Sequence, residues 1–404
     1  MERLGISMCG LRGIGLLLIT LGACTDEPSG TNVDGTPRYA IGMRVFSPDF
    51  SDENSFIGFT EDLATGAVDL SDAIEIPGQA SLFAPQGTGD FYVTSAEERS
   101  LQWFQFEEGR PVEVGRLGLS GFGISTLSGD VMVFDGADRG YLFDMLSGQA
   151  IEVNLEDFEL VRAIDLSDWL DPTLTSFIGG LRFVPRDGEF VAVVYGTDLV
   201  QQVVSDTAQV VFFDPATGTY ELQPSPCAGV HYGMSASNGD LFFASDPWVA
   251  AIHAVDDARA PAPCMIRIPA GTRTVATQTI ELNALTGRPT GGLIPSGPDT
   301  AYVRALDVET FPIPDKATGL ELFGAPFWQT WEIDLRQPDE AVLVDSDPEL
   351  LPGGITWFES EETVYQNISS PDFTSTTLSR TTDGPGPSSG IVVPGLALQV
   401  VRLQ

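Results

Sequence analysis

Two histidines, His231 and His253, supply all the imidazole in this 404-residue chain, so a base titrating near neutral pH must be one of them. Hydrolysis by a Ser-His-acid set also needs an activated serine, most readably on a Gly-x-Ser-x-Gly turn. The nearest match, Gly233-Met234-Ser235-Ala236-Ser237, fails at its last position. His231 therefore reads as a core or channel-lining residue rather than a catalytic base, and no catalytic residue is assigned. Lys316 is the only lysine and closes no glycine-rich loop, which argues against nucleotide chemistry. Oxygen-rich clusters occur at Asp345 and Asp347, and at Asp49, Asp52, Glu53 and Asn54. Neither has EF-hand spacing, so plain turns are the first reading and calcium the one metal left open. Trp248, following Pro247 near a loop, is the candidate for an exposed ligand contact; Trp103, Trp328, Trp331 and Trp357 fall in strand patterns, where aromatics pack.

These residues must be positioned by a repeated element. An Asp or Asn, two variable residues, a Thr or Ser and a Gly recur at Asp62–Gly66, Asp144–Gly148, Asp214–Gly218, Asn283–Gly287 and Asp315–Gly319. A short acidic or amide side chain bonds the backbone two residues on, and Gly takes the left-handed conformation that closes a hairpin. Between such turns lie β-rich runs of four to seven residues, among them 91–94, 101–106, 112–117, 190–195, 241–244 and 301–306. Outer hairpins near residues 62, 108, 145, 216, 285, 336 and 383 divide the chain into seven units. The expected fold is all-β, a seven-bladed β-propeller of four-stranded antiparallel blades over residues 39–404, with six or eight blades the main alternative and paired sandwiches third. The first unit shows only three clear strands, so the C-terminal strand 397–403 or its neighbour closes the ring. Residues 156–174 read as a linking excursion with a short helix. The insertions 247–262 and 311–325 are candidate recognition loops, since loops on a rigid ring commonly carry function.

The N-terminus reads as an export signal: Arg3 and Arg12 bracket its start, and the apolar run 14–21 is too short to span a bilayer. Leu21-Gly22-Ala23-Cys24 resembles the lipobox of bacterial lipoproteins, which implies cleavage after residue 23, lipid on Cys24 and an outer-membrane address. Residues 24–38 are polar and read as a flexible tether. The formal charge is −37, and removal of the signal makes the chain one unit more negative. That surface lacks the basic clusters that hold nucleic acid or anionic lipid, so no nucleic acid is expected and the membrane is met only through the lipid. In an exported chain Cys227 and Cys264 are expected to pair, with two buried thiols as the alternative; a 37-residue loop closed this way contributes about 4 kcal/mol in the chain-entropy model.

The run Tyr39–Pro48, with Arg44, Val45, Phe46 and Ser47, and the unit 81–106 around Gly89, Asp90, Phe91, Tyr92 and Val93 resemble a family of bacterial propeller lipoproteins. Some of these are encoded beside siderophore gene clusters, which implies a link to siderophore-iron uptake. The function expected is that of a monomeric, envelope-anchored binding or interaction module for a protein or small ligand rather than an enzyme. A calcium-dependent propeller hydrolase of esters or lactones is the alternative, and a passive coat protein the third reading.

Overall fold

The computed structural model describes residues 37–47, 53–85, 87–124, 127, 131–144, 147–169, 178–179 (backbone), 182–198, 200–344, 352–354, 356–360, 363–370, 372–384 and 390–404. Cys24, the signal and most of the tether lie outside them, as do Asp49, Asp52, Asp345 and Asp347. Among the described residues no helix is long and apolar enough to cross a membrane.

Seven small antiparallel sheets form the ring. Blade 1 joins Leu396–Arg402 to Tyr39–Phe46, Glu53–Thr60 and Ile74–Pro77. Blade 2 is Leu82–Phe83, Phe91–Ser95, Ser100–Glu107 and Arg110–Gly118. Blade 3 is Val131–Asp135, Arg139–Asp144, Gln149–Asn154 and Glu159–Asp165. Blade 4 begins with the split strand Ile178–Gly179 and Val184–Arg186, then Glu189–Asp198, Val203–Asp214 and Thr219–Ser225. Blade 5 is Val230–Ser235, Leu241–Ser245, Cys264–Ile268 and Ile280–Glu281. Blade 6 is Thr290–Pro295, Thr300–Leu306, Trp328–Asp334 and Ala341–Leu343. Blade 7 is Thr356–Ser360, Thr363–Ser369, Ser375–Arg380 and Gly390–Pro394. The fourth strands of blades 3, 4 and 6 are the most exposed, which marks the first strand of each blade as the inner one.

Closure uses the C-terminal strand, as the missing fourth strand of the first unit requires. Arg402 pairs with Tyr39 and Val400 with Ile41. Leu403 N–H donates to Arg38 O at 2.9 Å, and Gly89 N–H of blade 2 donates to Leu403 O at 2.8 Å. At the rim, Val68 and Val392 bond blades 1 and 7. A blade alone cannot bury both faces, so apolar side chains of neighbours fill the space between them. Tyr141 and Phe213, from blades 3 and 4, pack edge to face at 4.9 Å, and Phe59 and Phe91, from blades 1 and 2, do so at 5.6 Å.

Several local expectations need correction. Residues 159–165, read as an excursion, are the outer strand of blade 3; its side chains are mostly exposed on both faces, so no alternation marked it. Ser167–Trp169 forms only one 3-10 turn. The turn motif is a true hairpin at Asp144 and Asp214, where Gly148 (φ 64°) and Gly218 (φ 67°) donate back to the first carbonyl of the motif. At Asn283 the same bond ends a short helix, and at Thr318 the motif starts one. The hairpins placed near 145 and 285 are therefore an inner turn of blade 3 and the link into blade 6, yet each still falls once per blade. Insertion 247–262, read as a loop, contains a helix.

Candidate functional site

Alternating strand directions put every connection from strand 2 to strand 3 on one face of the ring. In blades 4, 5 and 6 these connections build upward. Blade 4 sends out a long hairpin, Glu189–Asp198 to Val203–Asp214. Blade 5 inserts α1, Pro247–Val255, whose start is fixed by Pro247 at the first turn and by Asp246, which accepts from Trp248 N–H at 2.7 Å. Beyond blade 5, α2 (Leu282–Thr286) stops at left-handed Gly287. Blade 6 inserts α3, Gly319–Gly324, started by a capping box of Thr318 and Glu321.

The three insertions hold one another. Gln202 Oε1 of the blade 4 hairpin accepts from Gly319 N–H at 2.8 Å. Arg259 donates to Gln201 O at 3.2 Å, and Val204 N–H donates to Arg259 O at 2.7 Å. Ala250 and Ala251 of α1 pack with Leu322 of α3 and with Leu306 and Trp328 of the ring. Trp248 is half-buried, edge-on to Phe323 at 6.0 Å, with its indole nitrogen buried and unpartnered. The disulfide Cys227–Cys264, Cα atoms 5.8 Å apart, joins the start of blade 5 to the strand leaving the insertion. Between these elements lies a cleft of about 350 Å3 lined by Gln202, Ile252, Asp256, Arg259 and Thr318. Val200 and Val255 stand at its edge, 93% and 39% exposed, and Leu320, 60% exposed, follows Gly319 of its lining.

A second set of groups lies toward the axis. Arg182 of blade 4 donates to Trp357 O at 2.9 Å and lies 3.4 Å above the Trp357 ring. Trp357 belongs to the inner strand of blade 7, which does not neighbour blade 4, so this contact spans the ring. Burial lowers the Arg182 guanidinium to about 10, with Tyr232 and Glu359 opposing. On one side of it a cavity of about 720 Å3 opens between the inner parts of blades 2 to 4, lined by Pro85, Val131, Phe134, Arg182 and Phe183. His231 Nδ1 stands 3.8 Å from Asp246 Oδ2. Burial lowers the imidazole and raises the Asp246 carboxyl, each resisted by the other's charge. Tyr232 is pushed well up by burial and by Asp246, against Arg182 and Arg304. Arg304, in strand 2 of blade 6, is 1% exposed.

His231 thus lines the channel, as expected, while the other histidine is structural, its Nδ1 2.9 Å from Ala260 O. Ser235 bonds only Ala236 O, at 3.4 Å, and forms no pair with His231. Among the described residues no three His, Cys, Asp or Glu side chains converge on a metal-sized site. Sequence reasoning missed Arg182 and Arg304. Their signal was a lone cation inside an apolar run, Leu181-Arg182-Phe183-Val184 and Ala301-Tyr302-Val303-Arg304-Ala305-Leu306.

No protein-family model and no curated protein matches the sequence. Solved structures do resemble the fold. A putative 6-phosphogluconolactonase from Bacteroides fragilis superposes with a TM-score of 0.53 at 10% identity, over 92% of this chain and 99% of its own. The periplasmic gluconolactonase of Pseudomonas aeruginosa gives a TM-score of 0.50 at 13% identity, over 90% of this chain and 96% of its own. AztD from Citrobacter koseri gives a TM-score of 0.42 at 11% identity, over 91% and 98%. At such identities the likeness establishes the fold alone.

Proposed function

We propose that this chain is an exported, lipid-anchored propeller that works as a binding module, capturing an envelope protein on the face built by blades 4 to 6. The observation that carries this reading is the union of three successive insertions into one platform with an apolar rim at Val200, Val255 and Leu320. Neighbouring exposed apolar side chains on an otherwise strongly acidic protein mark a surface that gains by being covered. Trp248 of α1 supports the platform by packing edge-on against Phe323 of α3. Cys24 carries the lipid and the tether sets the reach, with the body monomeric; the link to siderophore-iron uptake rests on the family resemblance.

The test compares in-cell cross-linking of the native protein with that of a Val200→Asp, Leu320→Asp variant. Loss of one defined adduct, with unchanged melting temperature, is the expected result. An unchanged adduct pattern sinks the platform as the binding surface. Cys24→Ala is expected to release the protein from the membrane fraction.

A second reading, an ester or lactone hydrolase, draws on the His231–Asp246 pair, in which the carboxylate is placed to orient the imidazole. It predicts turnover of a lactone panel that falls on His231→Gln, and on chelation if calcium takes part. A flat panel removes it.

A further inference from the structure

The cavity of about 720 Å3 between the inner parts of blades 2 to 4 shares no residue with the cleft on the insertion face, and its lining is chemically selective. Phe134 of blade 3 and Phe183 and Phe190 of blade 4 line it, each half-buried. Each ring is packed on one side, Phe134 against Tyr92 at 6.0 Å, Phe183 against Phe143 at 4.7 Å and Phe190 against Phe183 at 6.1 Å. The rest of their surface is left to the cavity. Aromatic surface kept in contact with water is a cost that an apolar occupant removes. The volume falls within the range of small-molecule sites.

Among the described lining residues Arg182 is the only ionisable side chain. On a chain with 57 Asp and Glu against 20 Lys and Arg, a cavity that presents one cation and no carboxylate is an electrostatic exception. The cation is held in place before anything binds. The Trp357 ring covers one face of the guanidinium at 3.4 Å, and the Trp357 carbonyl accepts one of its N–H groups at 2.9 Å. The indole is itself fixed to blade 6, its Nε1 donating to Leu293 O at 2.8 Å. Burial lowers the guanidinium to about 10, against Tyr232 and Glu359, so it keeps its charge at neutral pH. Glu359 acts on it electrostatically without forming an ion pair.

We propose that this cavity binds a small monoanionic organic acid with an apolar ring system, its carboxylate on Arg182 and its rings among Phe134, Phe183 and Phe190. A carboxylate matches the planar donor array of a guanidinium, and aromatic rings pack face or edge on to phenylalanine. The site is separate from the cleft on the insertion face, so a protein partner there and a small acid here are independent of each other.

Isothermal calorimetry on the full mature chain compares 2-naphthoate with 2-naphthylmethanol, which has the rings without the charge. The salt is about 0.15 M, where a screening length of about 8 Å limits repulsion by the acidic exterior. The acid is expected to bind saturably, with a Kd at least about tenfold below that of the alcohol. Arg182→Gln is expected to bring the acid to the alcohol's affinity and leave the alcohol unchanged, and Phe134→Ala to weaken both by a similar factor. The Val200→Asp, Leu320→Asp variant is expected to bind both as the native protein does; loss there would move the ligand to the insertion face and overturn the site. No binding of the acid, equal affinity for acid and alcohol, or native affinity for the acid in Arg182→Gln also overturns the proposal. Because Arg182 ties blade 4 to blade 7, a melting curve accompanies that variant. Should it fail to fold, Val131→Trp, which narrows the cavity from blade 3, is expected to abolish binding of the acid, and undiminished binding overturns the proposal.

Discussion

Blades 2 and 3 and blades 4 to 6 follow one strand plan but differ in what joins strand 2 to strand 3. In blade 2 the join is a tight turn, 96–99, and in blade 3 only four residues separate Asp144 from Gln149; in blades 5 and 6 it is 246–263 and 307–327, each with a helix. Their interiors differ too. The contact between blades 2 and 3 is built on an apolar cluster, with Tyr92, Leu101, Leu142, Ile151 and Leu155 at its heart, whereas blades 4 to 7 admit Arg182, Tyr232, Asp246 and Arg304. A closed ring lets one sector carry costly polar groups and long loops while another supplies ordinary packing. The comparison also bears on where the covalent tie falls: Cys227–Cys264 lies in blade 5, at the strand that leaves its helical insertion.

Removing that tie is expected to produce the largest effect. Cys227→Ser with Cys264→Ser should lower stability by about 2–5 kcal/mol, and hydrogen exchange should speed up first over 227–264 while strands 91–95 and 139–144 keep their protection. Equal loss across both sectors would break the comparison, because it would show the insertion to be part of the common core. A smaller effect is expected at two glycines chosen from the two sectors. A Cβ at Gly291 would stand 2.6–2.8 Å from the backbone of Asp246 and Pro247, whereas one at Gly118 meets no atom within 4 Å. Gly291→Ala should therefore cost about 1–3 kcal/mol in urea unfolding, and Gly118→Ala should stay within about 0.5 kcal/mol.

The plain sector was also the more legible one. Phe91–Ser95 and Ser100–Glu107 alternate or run apolar between Gly/Asp turns, and their pairing followed directly from that pattern. The elaborated sector hid its structure in physically understandable ways. Pro247 and Asp246 are a helix start, but the same residues punctuate loops, and α1 is too short and too evenly apolar to show a helical stripe. The Asp/Asn-x-x-Thr/Ser-Gly motif encodes a backbone bend with a left-handed glycine, and that bend serves a hairpin at Gly218 and a helix end at Gly287 equally well. Arg304 carried no mark of its own in the sequence, since cations in strands usually face solvent; the unbroken burial of Ala301 to Leu306 around it reveals an interior charge. The cysteine pairing was legible because only two remained to pair.

The smallest predicted effect tests whether the polar interior of blades 4 to 7 is felt by the fold as a whole. His231 faces Asp246, with the Arg182 charge and the Tyr232 phenol close by, and burial holds its imidazole below the ordinary value of 6.5. As pH falls through 6.5 the unfolded chain takes a proton that the folded chain resists, so the unfolded state binds more protons and stability falls. Asp246 acts with the opposite sign: its carboxyl is raised above 3.8, so its contribution is present in acid and fades as pH rises through the raised value. The histidine's share of the slope between pH 7.5 and 5.5 is therefore read as the difference between the native curve and that of a variant lacking the imidazole. His231→Asn should flatten the native curve of melting temperature against pH in that window, by less than about 1 kcal/mol because the side chain keeps 41% exposure to channel water. A variant whose curve parallels the native one would show that channel water screens His231 fully, and that the cost of this sector's polar groups resides in Arg304 and Asp246 alone.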